Sequence, residues 1–328
     1  MFVVTGANGF IGSILVRDLN SNLNTSNIYT TDFVTPEERP ELLSKANYQS
    51  FYKPDDFLSE LDSLHAKTPL TCIFHMGACS STTELDEEYL KKVNTDYTKS
   101  LFQWCNQNNV DFIYASSGAV YGDGSKGFSD DHKDCEKFTP LNPYGWSKLN
   151  FDLWAIEQPV DKCPPRWYGL RFFNVYGPHE YFKKDMASVV FKAYHQIKDT
   201  DKLKLFKSHN PNYKDGEQLR DFVYVKDITR WMIELYKNQD VTSGIYNLGF
   251  GEARTWLDLA NNVFKHMDKT PNIDWIDIPE GLRQRYQYYT KADISKLESQ
   301  GLSDPQWPLE KGVEDYLNNF LLKTDPYL

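Results

Sequence analysis

The sequence predicts an α/β fold: a doubly wound parallel sheet with a smaller mixed α/β lobe attached. Three observations carry that expectation. Short apolar runs ending in small or polar residues alternate with stretches of helical period, and such serial alternation builds a parallel sheet. The first unit is a strand, a glycine-rich turn and a helix within residues 2–19. After about residue 172 the composition turns aromatic and lysine-rich, which marks a second lobe.

The chain has 328 residues, enough for two domains with full cores. Its net charge of −10, with no basic run, argues against a nucleic-acid partner. No apolar run reaches the length of a membrane span and no signal-like start is present, so a soluble cytoplasmic protein is expected. The five cysteines, Cys72, Cys79, Cys105, Cys135 and Cys163, are irregularly spaced and include no C-x-x-C, which suggests reduced thiols and no metal site.

Phe2-Val3-Val4-Thr5 is the first strand. It runs into Gly6-x-x-Gly9-x-x-Gly12, and Ser13 to Leu19 then has helical period. This is the Rossmann-type fingerprint: Gly6 for the turn, Gly9 for close approach of a pyrophosphate, Gly12 for helix–strand packing. The helix N-terminus then offers free N–H groups to the phosphates. Residues 27–32 form the second strand and end on Asp32, 20 residues after Gly12, where a carboxylate binds a ribose diol and favours NAD. Arg39 can instead balance the 2′-phosphate of NADP. Residues 70–79 read as a buried strand ending in small residues. His75 and Cys79 there are more simply a strand-end histidine and a packed thiol. Residues 88–105 read as one helix carrying Asn94, and residues 110–117 as a strand with Ser117 at its ligand-facing carboxyl end. Residues 128–141 read as a polar loop, 168–178 as a strand that leaves the sheet, and 220–227 as a return to it. The cofactor domain is thus expected at 1–171 plus about 219–242, and the substrate domain at about 172–218 plus 243–328.

The stretch Asn142-Pro143-Tyr144-Gly145-Trp146-Ser147-Lys148 places a tyrosine and a lysine on one face of a helix's first turns. A lysine beside a tyrosine lowers the cost of the phenolate, and such a phenol can exchange a proton with an alcohol. That is what a nicotinamide-dependent alcohol oxidation requires. Taken alone, Y-x-x-x-K is a common pattern on helix surfaces.

Together, Gly6, Gly9, Gly12, Ser117, Tyr144 and Lys148 resemble the extended short-chain dehydrogenase/reductase family, whose members act on nucleotide sugars. Residues 77–84 (G-A-C-S-S-T-T-E), residues 171–178, the run Met186-Ala187-Ser188-Val189 and Arg285-Tyr286-Gln287 resemble more narrowly its ADP-heptose epimerases. The resemblance spans essentially the whole chain. It implies that Ser117, Tyr144 and Lys148 are catalytic and that Lys183 is a second catalytic lysine, although Lys184 adjoins it. It implies cofactor contacts at Gly6, Gly9, Phe10, Ile11, Gly12, Asp32, Phe33, Arg39, Met76, Gly77, Ala78, Cys79, Ser80, Asn94, Lys148, Val175 and Lys183. Substrate contacts are implied at Asn174, Asp185, Lys192, Phe206, Lys207, Ser208, His209, Arg220 and Tyr286. Phe33 departs from a position that is often polar in the family, and residues 210–219 form a longer loop than usual. The implied activity is inversion at C6 of an ADP-linked heptose through bound NADP, with NAD as the alternative. The implied setting is bacterial inner-core heptose synthesis by a homo-oligomer, with a pentamer among the candidate assemblies. The competing readings are a UDP-hexose 4-epimerase and a non-catalytic NAD(P)-sensing module. A 4,6-dehydratase is disfavoured because Gly118-Ala119, not an Asp-Glu pair, follows Ser117.

Overall fold

The structure, a computed structural model, describes residues 1–283 and 286–327. Arg285, one of the residues carrying the resemblance, lies outside them. The described strands in chain order are β1 (Phe2–Thr5), β2 (Ile28–Thr31), β3 (Ser50–Tyr52), β4 (Cys72–His75), β5 (Asp111–Ser117), β6 (Trp167–Phe172), β7 (Asn174–Tyr176), β8 (Leu203–Phe206), β9 (Leu219–Tyr224), β10 (Gly244–Leu248), β11 (Ala253–Thr255) and β12 (Ile273–Ile276). Seven of them form one parallel sheet in the order β10-β6-β5-β4-β1-β2-β3. The order reverses between β1 and β4, where Thr5 pairs with His75. Ligands of open α/β sheets bind above the strand ends at such a switch point.

The sheet is buried on both faces, as its near-continuous apolar strands require. Val4, Phe74 and Ile113 enter one core, with Leu15, Leu170 and Trp231. Their neighbours Val3, Ile73 and Phe112 enter the opposite core, with Phe102 and Phe151. This is the two-residue alternation of a strand. The second lobe has its own core of Tyr176, Val190, Ile197, Leu205, Phe222, Tyr224 and Val263.

Helix α1 (Phe10–Asn22) starts directly after the glycine turn, and α2 (Pro54–Lys67) follows β3. The single helix expected over 88–105 is α3 (Glu87–Leu90) and α4 (Tyr97–Asn108), joined by a π-helical turn over Lys91–Asp96. Helix α5 (Pro143–Ile156) begins where expected: the Asn142 side chain accepts the Gly145 N–H at 2.8 Å, and Pro143 supplies the preset φ of a first helical residue. The loop expected over 128–141 contains a 3₁₀ turn, His132–Lys137. Helices α6 (Val189–Thr200), α7 (Val225–Lys237) and α8 (Trp256–His266) complete those used below.

Two expected boundaries differ from the strand pairing. Residues 219–224 do not rejoin the main sheet: β9 pairs with β7 and β11 in a separate three-stranded sheet. The chain returns through α7, which buries Val225, Ile228, Trp231, Met232 and Leu235 at helical spacing. Conversely, β10, expected in the substrate domain, is the edge strand of the main sheet beside β6. An apolar strand shows its type through its periodicity, but periodicity does not say which sheet it joins.

Candidate active site

The carboxyl ends of β1, β4 and β5 open into a cleft of about 830 Å³. Its floor is the glycine turn. Gly6 has φ +63°, and a Cβ there would lie 2.6 Å from Gly77 N, so the turn after β1 and the turn after β4 touch through their backbones. A Cβ on Gly12 would sit 2.1 Å from the Gly6 carbonyl oxygen, and one on Gly9 would sit 3.0 Å from it. No side chain caps α1, so its first N–H groups are left to a ligand. A cradle that any Cβ would fill, at an uncapped helix N-terminus, fits a dinucleotide pyrophosphate.

Asp32 lines the cleft at the end of β2. Its carboxylate accepts the N–H of Asn8 at 3.0 Å and of Val34 at 3.1 Å. Burial raises its pKa, while these bonds and Arg39 oppose the shift. Arg39 lines the same end of the cleft, donates to the Asn8 carbonyl at 2.7 Å and lies over the Phe182 ring, 3.6 Å from its centroid. Phe33 stands at the rim, 58% exposed. Phe10, Ile11, Met76, Gly77, Ala78, Cys79, Ser80 and Val175 also line the cleft.

Asn94 does not. It is buried under the turn after β4: its amide receives the Cys79 N–H at 2.8 Å, donates to the Cys79 carbonyl at 2.9 Å, and donates to Ser147 Oγ at 2.9 Å. Ser147 in turn donates to the Tyr144 carbonyl at 2.7 Å. The π-helical turn thus clamps the turn after β4 to helix α5, in keeping with the tendency of π-bulges to occur at functional sites.

Ser117, Tyr144 and Lys148 meet at the centre of the cleft. Tyr144 is 9% exposed and Lys148 5%. Their electrostatics differ from the expectation drawn from spacing. Burial raises the Tyr144 pKa, and a hydrogen bond with Ser117 pulls it down. Lys148 is not the group lowering it here, because its amine donates to the Ala115 carbonyl at 2.8 Å. Burial lowers the Lys148 pKa to about 8, against the attraction of Asp152. Behind the pair lies a fully buried network: Asp152 accepts from Tyr114, Ser116 and the Arg171 guanidinium at 2.9–3.0 Å.

Lys183 reaches the cleft from the second lobe, with its amine 5.2 Å from the Phe10 ring centroid. Burial lowers its pKa, and Glu180 opposes the shift. Lys184 does not line the cleft; it is exposed and sits at φ +48°, a conformation rarely adopted by lysine. Of the two adjacent lysines, Lys183 is the one in the cleft lining.

The expected substrate contacts fall into three groups. Asn174 lines the cleft. Asp185 and Lys192 do not, and the Lys192 amine donates to the Asp185 carbonyl at 2.5 Å. Phe206, Lys207, Ser208, His209, Arg220 and Tyr286 form a cluster on the second lobe outside the cleft lining. There the Arg220 guanidinium lies 5.3 Å from the Tyr286 ring and 5.6 Å from the Trp256 ring, and the Trp256 indole donates to the Tyr286 hydroxyl at 3.1 Å. Phe206 packs on Tyr286 at 6.1 Å. Ser208 exchanges hydrogen bonds with Asn210 in its own loop, and His209 Nε2 accepts the Ile278 N–H at 3.3 Å from the segment after β12. Lys207 lies 3.9 Å from Asp277. Trp256 and Tyr288, which bonds the His209 N–H at 3.1 Å, belong to this cluster, and the sequence reading missed them. So did it miss Phe182, whose one signal is its place beside Lys183.

Comparison with known proteins gives the family. The NAD dependent epimerase/dehydratase family matches residues 2–249. The chain is 43% identical to an ADP-L-glycero-D-manno-heptose-6-epimerase of Fusobacterium nucleatum and 44% identical to one of Nitratidesulfovibrio vulgaris, each alignment covering 100% of both chains. Among solved structures, the Helicobacter pylori ADP-L-glycero-D-manno-heptose-6-epimerase is similar at a TM-score of 0.80, with 28% identity over 97% of this chain and 95% of that one. A Thermus thermophilus UDP-glucose 4-epimerase in complex with NAD shares the fold at a TM-score of 0.76 and 23% identity, over 97% of each chain.

Proposed function

This chain belongs to the NAD dependent epimerase/dehydratase family, and from that premise we propose that it is a nucleotide-sugar isomerase, an ADP-glyceromanno-heptose 6-epimerase. It interconverts ADP-D-glycero-β-D-manno-heptose and ADP-L-glycero-β-D-manno-heptose. The observation that carries the reading is that two proton-transfer groups from different lobes, Tyr144 and Lys183, line one cleft over a dinucleotide cradle.

C6 of the heptose has no adjacent carbonyl, so its C–H is not acidic and no side-chain base removes it as a proton. A bound nicotinamide supplies a reversible hydride acceptor, which is the chemistry this carbon needs. The residues do the rest. Ser117 hydrogen-bonds the reacting oxygen and Tyr144 takes its proton. Burial raises the Tyr144 pKa, so the base form depends on Ser117 and on Lys148, whose amine carries its charge at neutral pH and turns toward it from the Ala115 carbonyl. The ketone formed at C6 is planar and has lost its configuration. C6 is exocyclic, so rotation about one chain bond presents its other face. The epimer's hydroxyl then points elsewhere, and Lys183 is the donor on that side. Its lowered pKa moves it toward the range in which a general acid works near neutral pH. Lys148 would also hold the cofactor's ribose.

We further propose NADP as the coenzyme. Asp32 already accepts two backbone N–H groups, and the Arg39 guanidinium beside it suits a 2′-phosphate. The cofactor ends each turnover unchanged, which favours tight binding. The expected setting is the cytoplasm, as a homo-oligomer such as a pentamer, making the heptose of the lipopolysaccharide inner core. No helix among the described residues is long and apolar enough to cross a membrane.

The test is an NMR assay with ADP-D-glycero-β-D-manno-heptose and the purified protein without added cofactor. Growth of the L-glycero epimer is expected. Turnover only after adding NAD, and not NADP, would overturn the coenzyme. No conversion with either, together with conversion of UDP-galactose, would overturn the substrate.

A further inference from the structure

We propose that Phe182 is a positioning residue that couples Arg39, at the adenosine end of the cleft, to Lys183, at its reacting end. The inference rests on the coenzyme reading above and deepens it: the 2′-phosphate would help to place the second acid/base group.

Three contacts make the connection. The Arg39 guanidinium carbon lies 3.6 Å from the centroid of the Phe182 ring. Phe182 also packs against the small cluster of Phe10, Ile14 and Val225, as do Ile11 and Val175. The next residue, Lys183, holds its amine 5.2 Å over the Phe10 ring of that same cluster. Arg39 and Lys183 are therefore linked through Phe182 and the Phe10 cluster, and both rings line the cleft.

The segment carrying Phe182 is tied to its surroundings on both sides of the ring. The Glu180 carboxylate accepts the Gly177 N–H at 3.2 Å and the Ser188 hydroxyl at 2.7 Å, closing residues 177–188 on themselves. Ser13 Oγ and His179 Nδ1 share a hydrogen bond of 2.8 Å, which anchors the loop to α1. Tyr181 donates to the Pro326 carbonyl at 2.6 Å, which anchors it to the C-terminal segment. Phe182 and Lys183 are thus adjacent on one restrained segment.

A guanidinium stacked on a ring is held by the ring's quadrupole, and a phosphate competes for the same charge. A dianion arriving at Arg39 therefore changes its hold on Phe182. Through the cluster that holds Phe10, it changes where the Lys183 amine rests. NAD fills the same cradle without that change, so the coupling distinguishes two cofactors that differ by one phosphate.

The experiment compares the full-length protein loaded with NADP or with NAD. Acetylation of Lys183 by limiting acetic anhydride is followed by peptide mass mapping, with the exposed neighbour Lys184 as internal reference. Relative to Lys184, the Lys183 rate should differ between the two forms by roughly threefold or more, the size that one cation–π contact supports. F182L should abolish the difference, F182Y should keep it, and R39M should abolish it while weakening NADP binding relative to NAD. A difference that survives F182L would overturn the coupling. So would the absence of any difference in the unsubstituted protein when R39M still weakens NADP selectively, and in that case the coenzyme reading would stand. If R39M leaves the NADP-to-NAD affinity ratio unchanged, the assignment of Arg39 falls, and the coupling with it.

Discussion

Replacing Lys148 by methionine should make the protein more stable at neutral pH while removing most of its activity. Lys148 is 5% exposed, and burial lowers its pKa from 10.5 to about 8. Between those values the unfolded chain binds a proton that the folded chain does not. Stability therefore rises with pH through that window, and the full cost of the buried charge is present below pH 8. A difference of about 2.5 units corresponds to about 3 kcal/mol. Methionine fills similar volume without the charge, but it leaves the Ala115 carbonyl without its partner, which costs on the order of 1 kcal/mol. The net expectation is a gain of about 2 kcal/mol at pH 7. That gain should vanish, and reverse by about 1 kcal/mol, as the pH approaches 10.5. Urea unfolding of both proteins at pH 7 and pH 10 measures it, alongside kcat/KM at neutral pH, which should fall roughly a hundredfold or more. The reasoning is refuted if the variant is less stable at pH 7, or if the difference between the proteins does not change with pH.

The remaining predictions concern the cradle, the two lysines and the buried polar groups. G12A places a Cβ 2.1 Å from the Gly6 carbonyl oxygen, so the variant should purify without its cofactor, as an absorbance scan of the released nucleotide would show. K183M should lower kcat by roughly 10² to 10⁴, whereas K184G should keep activity within about threefold and match or exceed the parent in denaturant midpoint, since φ +48° suits glycine. N94A removes three hydrogen bonds between the π-helical turn, Cys79 and Ser147; it should cost about 2–4 kcal/mol in urea unfolding and weaken cofactor binding measured by titration calorimetry. Burial lowers the pKa of His75 and His179 to about 3 each, below the 6.5 of the unfolded chain. Their stabilising contribution is therefore complete above pH 6.5 and lost as pH falls toward 3, so the unfolding midpoint should drop steeply in that interval.

Local features were legible because a few adjacent residues encode them. The strand, glycine turn and uncapped helix of residues 2–22 follow from Gly6, Gly9 and Gly12, and the cleft floor is where that motif put it. Asn142 and Pro143 start α5, which alone brings Tyr144 and Lys148 to one face. Ser117 ends its strand at the ligand side. In each case the geometry is settled within one or two turns of chain.

Contacts between distant segments were not legible in the same way. The apolar run in β9 identifies a strand, but only its register with β7 and β11 shows that it leaves the main sheet, and only the pairing with β6 recruits β10 to it. Spacing placed Lys148 near Tyr144, yet the Ala115 carbonyl and burial decide what charge each carries. Asn94 was expected to touch the cofactor; the fold turns it inward, where it holds the Cys79 backbone. Lys183 and Lys184 are equivalent as residues, and only the kink at Lys184 and the Phe10 ring distinguish them. By itself the sequence determined the units and the chemistry that each carries. Sheet membership, protonation and the choice between like side chains waited for the tertiary structure, because burial and long-range pairing supply energies that no local stretch of chain contains.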